Sequence, residues 1–209
     1  MSGKQPPRLG WPVDPDEIVS EVWTRLVRGK ADRKHAFHHP AIATIRGGEP
    51  ELRTVILRRA DPDTWALQAH TDTRAGKVEQ LRTHATAAWL FYDPAAKLQI
   101  RAAGPTQALT EGPIVEQAWD ATPLYSRRCY LAPHAPGMET EAPNPNLPDE
   151  FREFNPDDES SKAGRVNFAV VRTEVTTLEW LSLAATGHTR GRFTRQSAGV
   201  DLQHVFMTP

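Results

Sequence analysis

The chain has a single cysteine, Cys129, which excludes an internal disulfide and a cysteine-rich zinc site and suits a reducing compartment. No apolar run approaches the roughly 18 residues that a membrane-crossing helix needs. The opening MSGKQPPRLG lacks the apolar core of a secretory signal. A cytoplasmic location is therefore expected. Neither charge dominates: 25 Lys and Arg stand against 26 Asp and Glu, for a net charge of -1. That balance argues against a general nucleic-acid or membrane-surface binder, which would carry a basic excess. Several motifs are also missing: the G-x-S-x-G nucleophile turn, the P-loop, a G-x-G-x-x-G after a strand, and H-E-x-x-H. No internal repeat is present. The nearest thing to a metal-binding group is His35, His38 and His39 in one loop. Without a helical register or a nearby cysteine, a polar loop with chance histidines is the better reading, and no metal is expected.

The 209 residues suffice for one domain with a sizeable core, and a single domain over residues 1–209 is expected. Residues 1–13 read as a loose polar arm. Asp14 caps a helix that has Pro15 in its first position and Asp16 and Glu17 at its positive end. Ile18, Val22 and Leu26 form its buried stripe and Gly29 its end. Strands follow over 41–46, 52–60 and 64–71, joined by Gly47-Gly48 and Asp61-Pro62-Asp63 as an antiparallel meander. A helix capped by Asp72 or Thr73 runs to His84. Strands cover 85–92 and 97–109, with a break or bulge at Gly104-Pro105, and helices cover 111–121 and 123–130. Residues 131–162 are rich in proline and acid and read as a long loop, either mobile, a lid, or wrapped on a partner subunit. Strand character returns over 166–183, with Val170, Arg172 and Glu174 alternating against Val171, Thr173 and Val175, and again over 188–195 and 202–207. This succession is mainly β with flanking helices and suggests a small barrel rather than a doubly wound sheet.

The stretch from Arg53 to Lys77 carries the clearest chemistry. Arg53, Arg58 and Arg59 lie at one end of a two-stranded turn and Arg74 and Lys77 at the other, beside a helix start. Unpaired N–H groups at a helix N-terminus, together with arginine forks, suit a phosphate. Strict alternation puts Arg53 and Arg59 on one face of the strand and Arg58 on the other. The plainer reading of each arginine alone is an exposed residue in a weak surface pair. Cys129, in SRRCY between arginines and a tyrosine, is either a reactive thiol or, more simply, a structural one.

The order of these pieces resembles the pyridoxamine 5'-phosphate oxidase-like family of FMN-binding split barrels. R-x-V-x-L-R is followed by T-D-T-R-x-x-K, then L-Q-I-R, Glu179-Trp180 and HTRGR, so the resemblance covers most of the chain. It implies a six-stranded antiparallel split β-barrel, FMN as cofactor and a homodimer with the flavin at the subunit interface. Residue by residue, it implies flavin contacts from Arg53, Thr54, Val55, Ile56, Leu57 and Arg58, again at His70 and Thr71, and a phosphate grip by Arg74 and Lys77. Family members carry Ser-Arg-Lys where this chain has Ala75-Gly76-Lys77, so only Lys77 matches in register. Gln99 corresponds to a glutamine reaching the flavin from the facing subunit, and Trp180 with Arg190 to a late tryptophan–arginine pair, for which Arg192 competes with Arg190. The true oxidases read R-x-H-x-R where this chain has Thr186-Gly187-His188-Thr189-Arg190. They also place a tyrosine, an arginine and a serine where it has Ala118, Thr122 and Ser126. The lost arginines point away from a vitamin phosphate ester as substrate. The expectation is an FMN-dependent oxidoreductase of unassigned substrate, with His188 as the candidate substrate contact. The alternatives are a genuine pyridoxamine or pyridoxine 5'-phosphate oxidase, and a flavin carrier or sensor without turnover.

Overall fold

The structure, a computed structural model, describes residues 11–195 and 202–209. Most of the polar arm expected over residues 1–13 lies outside the described residues. Its last part is not loose, since Trp11 is buried with its ring 6.0 Å from that of Trp180.

Helix α1 (Pro15–Ala31) starts as its sequence dictates, with the Asp14 side chain accepting from the N–H groups of Asp16 and Glu17. It buries Ile18, Val22, Trp23 and Leu26. Gly29 does not end it. A Cβ there would sit 2.7 Å from the Cβ of Phe37, so this glycine lets the following loop pack against the helix. In that loop His38 is buried, with its ring Nδ1 2.8 Å from the Gly29 carbonyl, and His35 accepts from the N–H of Phe37.

Strands β1 (Ala41–Arg46) and β2 (Glu49–Thr54) form a hairpin closed by Gly47 and Gly48, both at positive φ (58° and 91°), which a two-residue turn of this hand requires. The single strand expected over 52–60 is broken. After Thr54 the chain leaves β1, and its N–H groups donate elsewhere: Val55 to Pro40 O, Leu57 to His38 O and Arg58 to Gln68 O. Pairing resumes only in β3 (Arg59–Asp61), against β4 (Ala66–Asp72). Helix α2 (Gly76–Thr83), β5 (Thr86–Asp93) and β6 (Leu98–Leu109) follow. Gly104 does not break β6. It marks where the strand exchanges a neighbour, pairing with β8 up to Ala103 and with β7 from Thr106, while β5 stays paired through Pro105. A Cβ on Gly104 would lie 1.9 Å from the carbonyl oxygen of Glu174, so no larger residue fits that crossing without movement.

Helices α3 (Pro113–Asp120), α4 (Leu124–Arg127) and α5 (Asp158–Ser161) flank the sheet. Within residues 131–162, Asn146 exchanges two hydrogen bonds with the His134 backbone and a 3₁₀ turn covers Asp149–Phe151. The strand expected over 166–183 is two, β7 (Phe168–Glu174) and β8 (Thr177–Ala184), followed by β9 (Gly187–Arg195) and β10 (Leu202–Met207). β7 is not half-exposed. Phe168 through Val171 are all buried, because Trp119 of α3 covers the face that alternation assigned to solvent. All pairs are antiparallel and the main path runs β10-β9-β8-β6-β5-β1-β2 without closing, while β6 also reaches β7, then β4 and β3. The described residues form ten strands, where the sequence pattern marks eight strand segments, because two of those segments each divide where the chain passes between sheets. The core holds Trp89, Trp180, Phe91, Phe193, Ile42 and Leu98, and Trp89 Nε1 donates to Thr173 Oγ1 at 2.8 Å across the two sheets.

Candidate functional site

Four elements meet around the start of α2. The hairpin register places Thr44 opposite Glu51 and Ile42 opposite Arg53, so Thr44, Arg46, Glu51 and Arg53 share one face. Helix α2 brings Gly76, Lys77 and Gln80 against it. Arg53 donates to Thr44 Oγ1 and, at 3.2 Å, to Gln80 Oε1, and pairs with Glu51 at 2.8 Å. Glu51 also pairs with Arg46 at 2.7 Å and accepts from Gln80 Nε2 at 2.8 Å. These contacts hold its carboxyl below the usual range, the hydrogen bond from Arg53 contributing most. Lys77 reaches buried Thr71, Nζ to Oγ1 at 2.9 Å. Burial, then the nearby Arg53 charge, pushes the Lys77 ammonium below its ordinary value. Three cations thus gather with one carboxylate beside a helix whose cap residue, Ala75, offers no side-chain acceptor to its first N–H groups. A phosphate monoester carries about −1.5 to −2 charges and three acceptor oxygens, and this donor set matches it.

The capping expected of Asp72 or Thr73 is not made. Asp72 instead accepts two bonds from the Arg74 guanidinium, at 2.9 and 2.7 Å, and one from its backbone N–H. Arg74 also donates to Ala132 O at 3.0 Å. Its charge is already matched, and it ties the 131–162 segment to β4.

A second group lies on the other face of the main sheet. The register aligns Tyr92, Gln99, Leu181 and Arg190 in one row across β5, β6, β8 and β9. Gln99 and Arg190 thus share a row with Leu181 between them, and Arg190 pairs with Glu179 at 2.9 Å. Trp180 is not with them. It faces the core, 1% exposed, opposite Gly191, and the residue on the Arg190 face is Leu181. A two-residue periodicity sends Trp180 and Arg190 to opposite sides, whatever their spacing along the chain. Arg192 sits in the next row, cross-strand from Glu179. His188 is exposed near the β8–β9 hairpin turn, paired with Leu183.

Between β3, β4 and the helices lies a third group. Arg58 is half-buried, and its Nε has no partner among the described residues. Burial lowers its pKa and raises that of the Tyr130 phenol, which lies close enough to interact with it. His70 packs edge-on against Phe168, with centroids 4.8 Å apart, and its Nδ1 is 3.5 Å from Thr122 Oγ1. Burial, then Arg58, pushes the imidazole down to about 3. This corner therefore presents one fixed cation flanked by neutral hydrogen-bonding rings near pH 7.

Of the residues in the α2 cluster, the sequence singles out Arg53, Thr71 and Lys77 but not Thr44, Arg46, Glu51 and Gln80. The signal for the first three lay in Gly47-Gly48, since a two-residue turn fixes the register that sets them beside Arg53. Gln80 follows Lys77 by three residues on one helix face.

Residues 20–110 match the family described as the pyridoxamine 5'-phosphate oxidase, FMN-binding domain. The pyridoxine/pyridoxamine 5'-phosphate oxidase 2 of Arabidopsis thaliana is 30% identical over 124 residues, covering 53% of this chain and only 62% of that protein. Among solved structures, a pyridoxamine 5'-phosphate oxidase-related, FMN-binding protein from Nostoc punctiforme aligns with a TM-score of 0.70 at 20% identity, covering 91% of this chain and 96% of that one. PhzG from Burkholderia lata, solved with tetrahydrophenazine-1-carboxylic acid, aligns with a TM-score of 0.66 at 16% identity, covering 95% and 94%. These two structures share the fold of this chain.

Proposed function

We propose, from the match of residues 20–110 to the pyridoxamine 5'-phosphate oxidase, FMN-binding domain family, that this protein is an FMN-dependent oxidoreductase working as a homodimer. The observation that carries the reading is the gathering of Arg53, Lys77 and Thr71 at the uncapped start of α2. These residues would hold the FMN phosphate, with the 54–58 segment running beside the flavin. Bound FMN supplies the electron-transfer chemistry, and the protein supplies binding, orientation and electrostatics.

The placement of the remaining residues supports the dimer. Arg53 is on the core-side face of the sheet, whereas Gln99 and Arg190 share a row on the opposite face. With the two groups on opposite faces, Gln99 and Arg190 would reach the flavin held by Arg53 from a second copy of the chain. Exposed Leu90, Tyr92 and Leu52 on that outer face supply apolar area for the contact. The exposed thiol of Cys129 suits a reducing, cytoplasmic setting.

The substrate side is the Arg58 corner. One cation beside a neutral imidazole and a neutral phenol suits a single carboxylate better than a phosphate dianion, which takes two or more basic donors. Arg58 would bind and orient the anionic group, and His70 and Tyr130 would shield it from water.

The test is an absorption spectrum followed by FMN titration and a mass measurement in solution. Flavin bands, saturable FMN binding and a dimeric mass are the expected result, with FMN retention lost in Arg53→Ala/Lys77→Ala. Failure to bind FMN would refute the reading. Bound flavin that no pyridine nucleotide or carboxylate-bearing substrate reduces would convert it to a carrier.

A further inference from the structure

Resting on the FMN reading, the geometry points to Arg46 as a further phosphate-binding residue, occupying the space left by the missing side chain of Gly76 and held there by Glu51. Gly76 opens helix α2, and its φ lies outside the left-handed region, so the backbone does not require glycine. A glycine at a helical position is normally a small liability relative to alanine. Its effect here is spatial. A Cβ on Gly76 would stand 3.2 Å from Arg46 Nη2, tighter than about nine in ten real Cβ contacts, and the next nearest atom is Gln80 Nε2 at 3.7 Å. The end of β1 thus lays a guanidinium across the start of α2, where the helix N–H groups converge.

Glu51 explains how Arg46 waits there. Its two oxygens take one arginine each: Oε2 the Arg46 Nε at 2.7 Å, Oε1 the Arg53 Nη2 at 2.8 Å. It stands as an anion between two guanidinium groups, in the arrangement that oxygens of one phosphate would adopt. The Arg46 side chain is 68% exposed, so its pair with Glu51 contributes little to stability and can exchange partners. A phosphate brings more charge and more acceptors than one carboxylate, and so displaces Glu51 from both arginines. Arg46 and Glu51 together therefore set the affinity of the site: the first adds a donor, the second competes for it.

The experiment compares dissociation constants for FMN and riboflavin, read by flavin fluorescence, in the wild type, Arg46→Ala, Arg46→Lys, Glu51→Gln and Arg46→Ala/Gly76→Arg. Riboflavin lacks the phosphate and so isolates it. Arg46→Ala should weaken FMN about tenfold, the scale of one charge-assisted contact, and leave riboflavin unchanged. Arg46→Lys should lie between the two, Glu51→Gln should tighten FMN several-fold, and Gly76→Arg should restore part of the loss by putting a guanidinium back in the same space. A wild type that binds FMN no better than riboflavin refutes the phosphate site itself. A wild type that prefers FMN, with Arg46→Ala within about twofold of it, overturns the role of Arg46 and leaves the site standing. Equal weakening of FMN and riboflavin in Arg46→Ala would show a structural effect and also overturns the inference. Matching circular dichroism spectra establish that the variants are folded.

Discussion

Replacing Gly104 by alanine should destabilise this protein more than any comparable change at a turn glycine. The added methyl would sit 1.9 Å from Glu174 O, 2.9 Å from Thr176 N and 3.0 Å from Glu174 C, whereas real Cβ atoms essentially never come within 3.0 Å of another atom. All three obstacles are backbone, so no side chain can rotate away. The β7–β8 link must retreat by about 1 Å, and that link carries the bonds from Val175 N to Trp65 O (2.7 Å) and from Thr176 N to Ala103 O (3.0 Å). Overpacking of this kind costs about 1–3 kcal/mol, and a weakened buried backbone hydrogen bond adds about 1–3 kcal/mol. A total of about 4 kcal/mol corresponds to a fall in Tm of about 8–16 °C for a chain of this size. Gly48→Ala is the control. Nothing lies within 4 Å of its Cβ, so only its positive φ of 91° opposes the change, at about 1 kcal/mol. Thermal unfolding followed by circular dichroism, with urea midpoints as a second measure, gives both values. A Gly104→Ala protein melting within about 2 °C of wild type, or no lower than Gly48→Ala, would refute the close crossing of β6 and β7.

Three further outcomes are expected. His70 has its folded pKa pushed from 6.5 down to about 3, so its contribution to stability is full above pH 6.5 and is lost progressively as pH falls toward 3. His70→Gln should therefore flatten the drop between pH 7 and pH 5 by up to about 2 kcal/mol, read from urea midpoints, and an unchanged pH profile would contradict the burial of the imidazole. Arg127 is buried, donates to Thr122 O, Asp120 O and Asp158, and lies over the Trp119 ring at 4.8 Å. Arg127→Met should cost about 2–3 kcal/mol in a thermal melt and speed proteolysis within residues 131–162, with Arg127→Lys restoring little, because lysine lacks the planar fork. Arg74→Ala should leave FMN affinity within about threefold, because Asp72 already holds that guanidinium, whereas Arg53→Ala should lose at least about tenfold by the same titration.

What the sequence reveals here is local, and what it hides is decided by contacts distant in the chain. The bounds of β1, the Asp14 cap of α1 and the Gly47-Gly48 turn follow from patterns within a few residues. The break between β2 and β3 does not, because residues 52–60 keep a strand-like pattern while their N–H groups pass from one sheet to the other. β7 reads as half-exposed until α3 covers it. In the site, Arg53 and Lys77 stand out as phosphate donors by type and position. Arg74 looks equally suitable, yet Asp72, two residues before it, takes its charge. Trp180 and Arg190 look like partners along the chain, and only the β8–β9 register shows that the ring faces inward.

Strand β2 ends the main sheet path, so among the described residues its outer backbone edge has no neighbouring strand. Free edges recruit strands from other molecules unless charge or proline blunts them. β2 carries Glu49, Pro50, Glu51 and Arg53 along six residues, with Leu52 62% exposed among them. Glu51 and Arg53, placed by the proposal at the phosphate site, would thus also blunt this edge against pairing with another molecule. Replacing Glu51 and Arg53 together would leave only Glu49 and Pro50 to blunt the edge beside exposed Leu52, so solubility and flavin affinity should decline in the same variant.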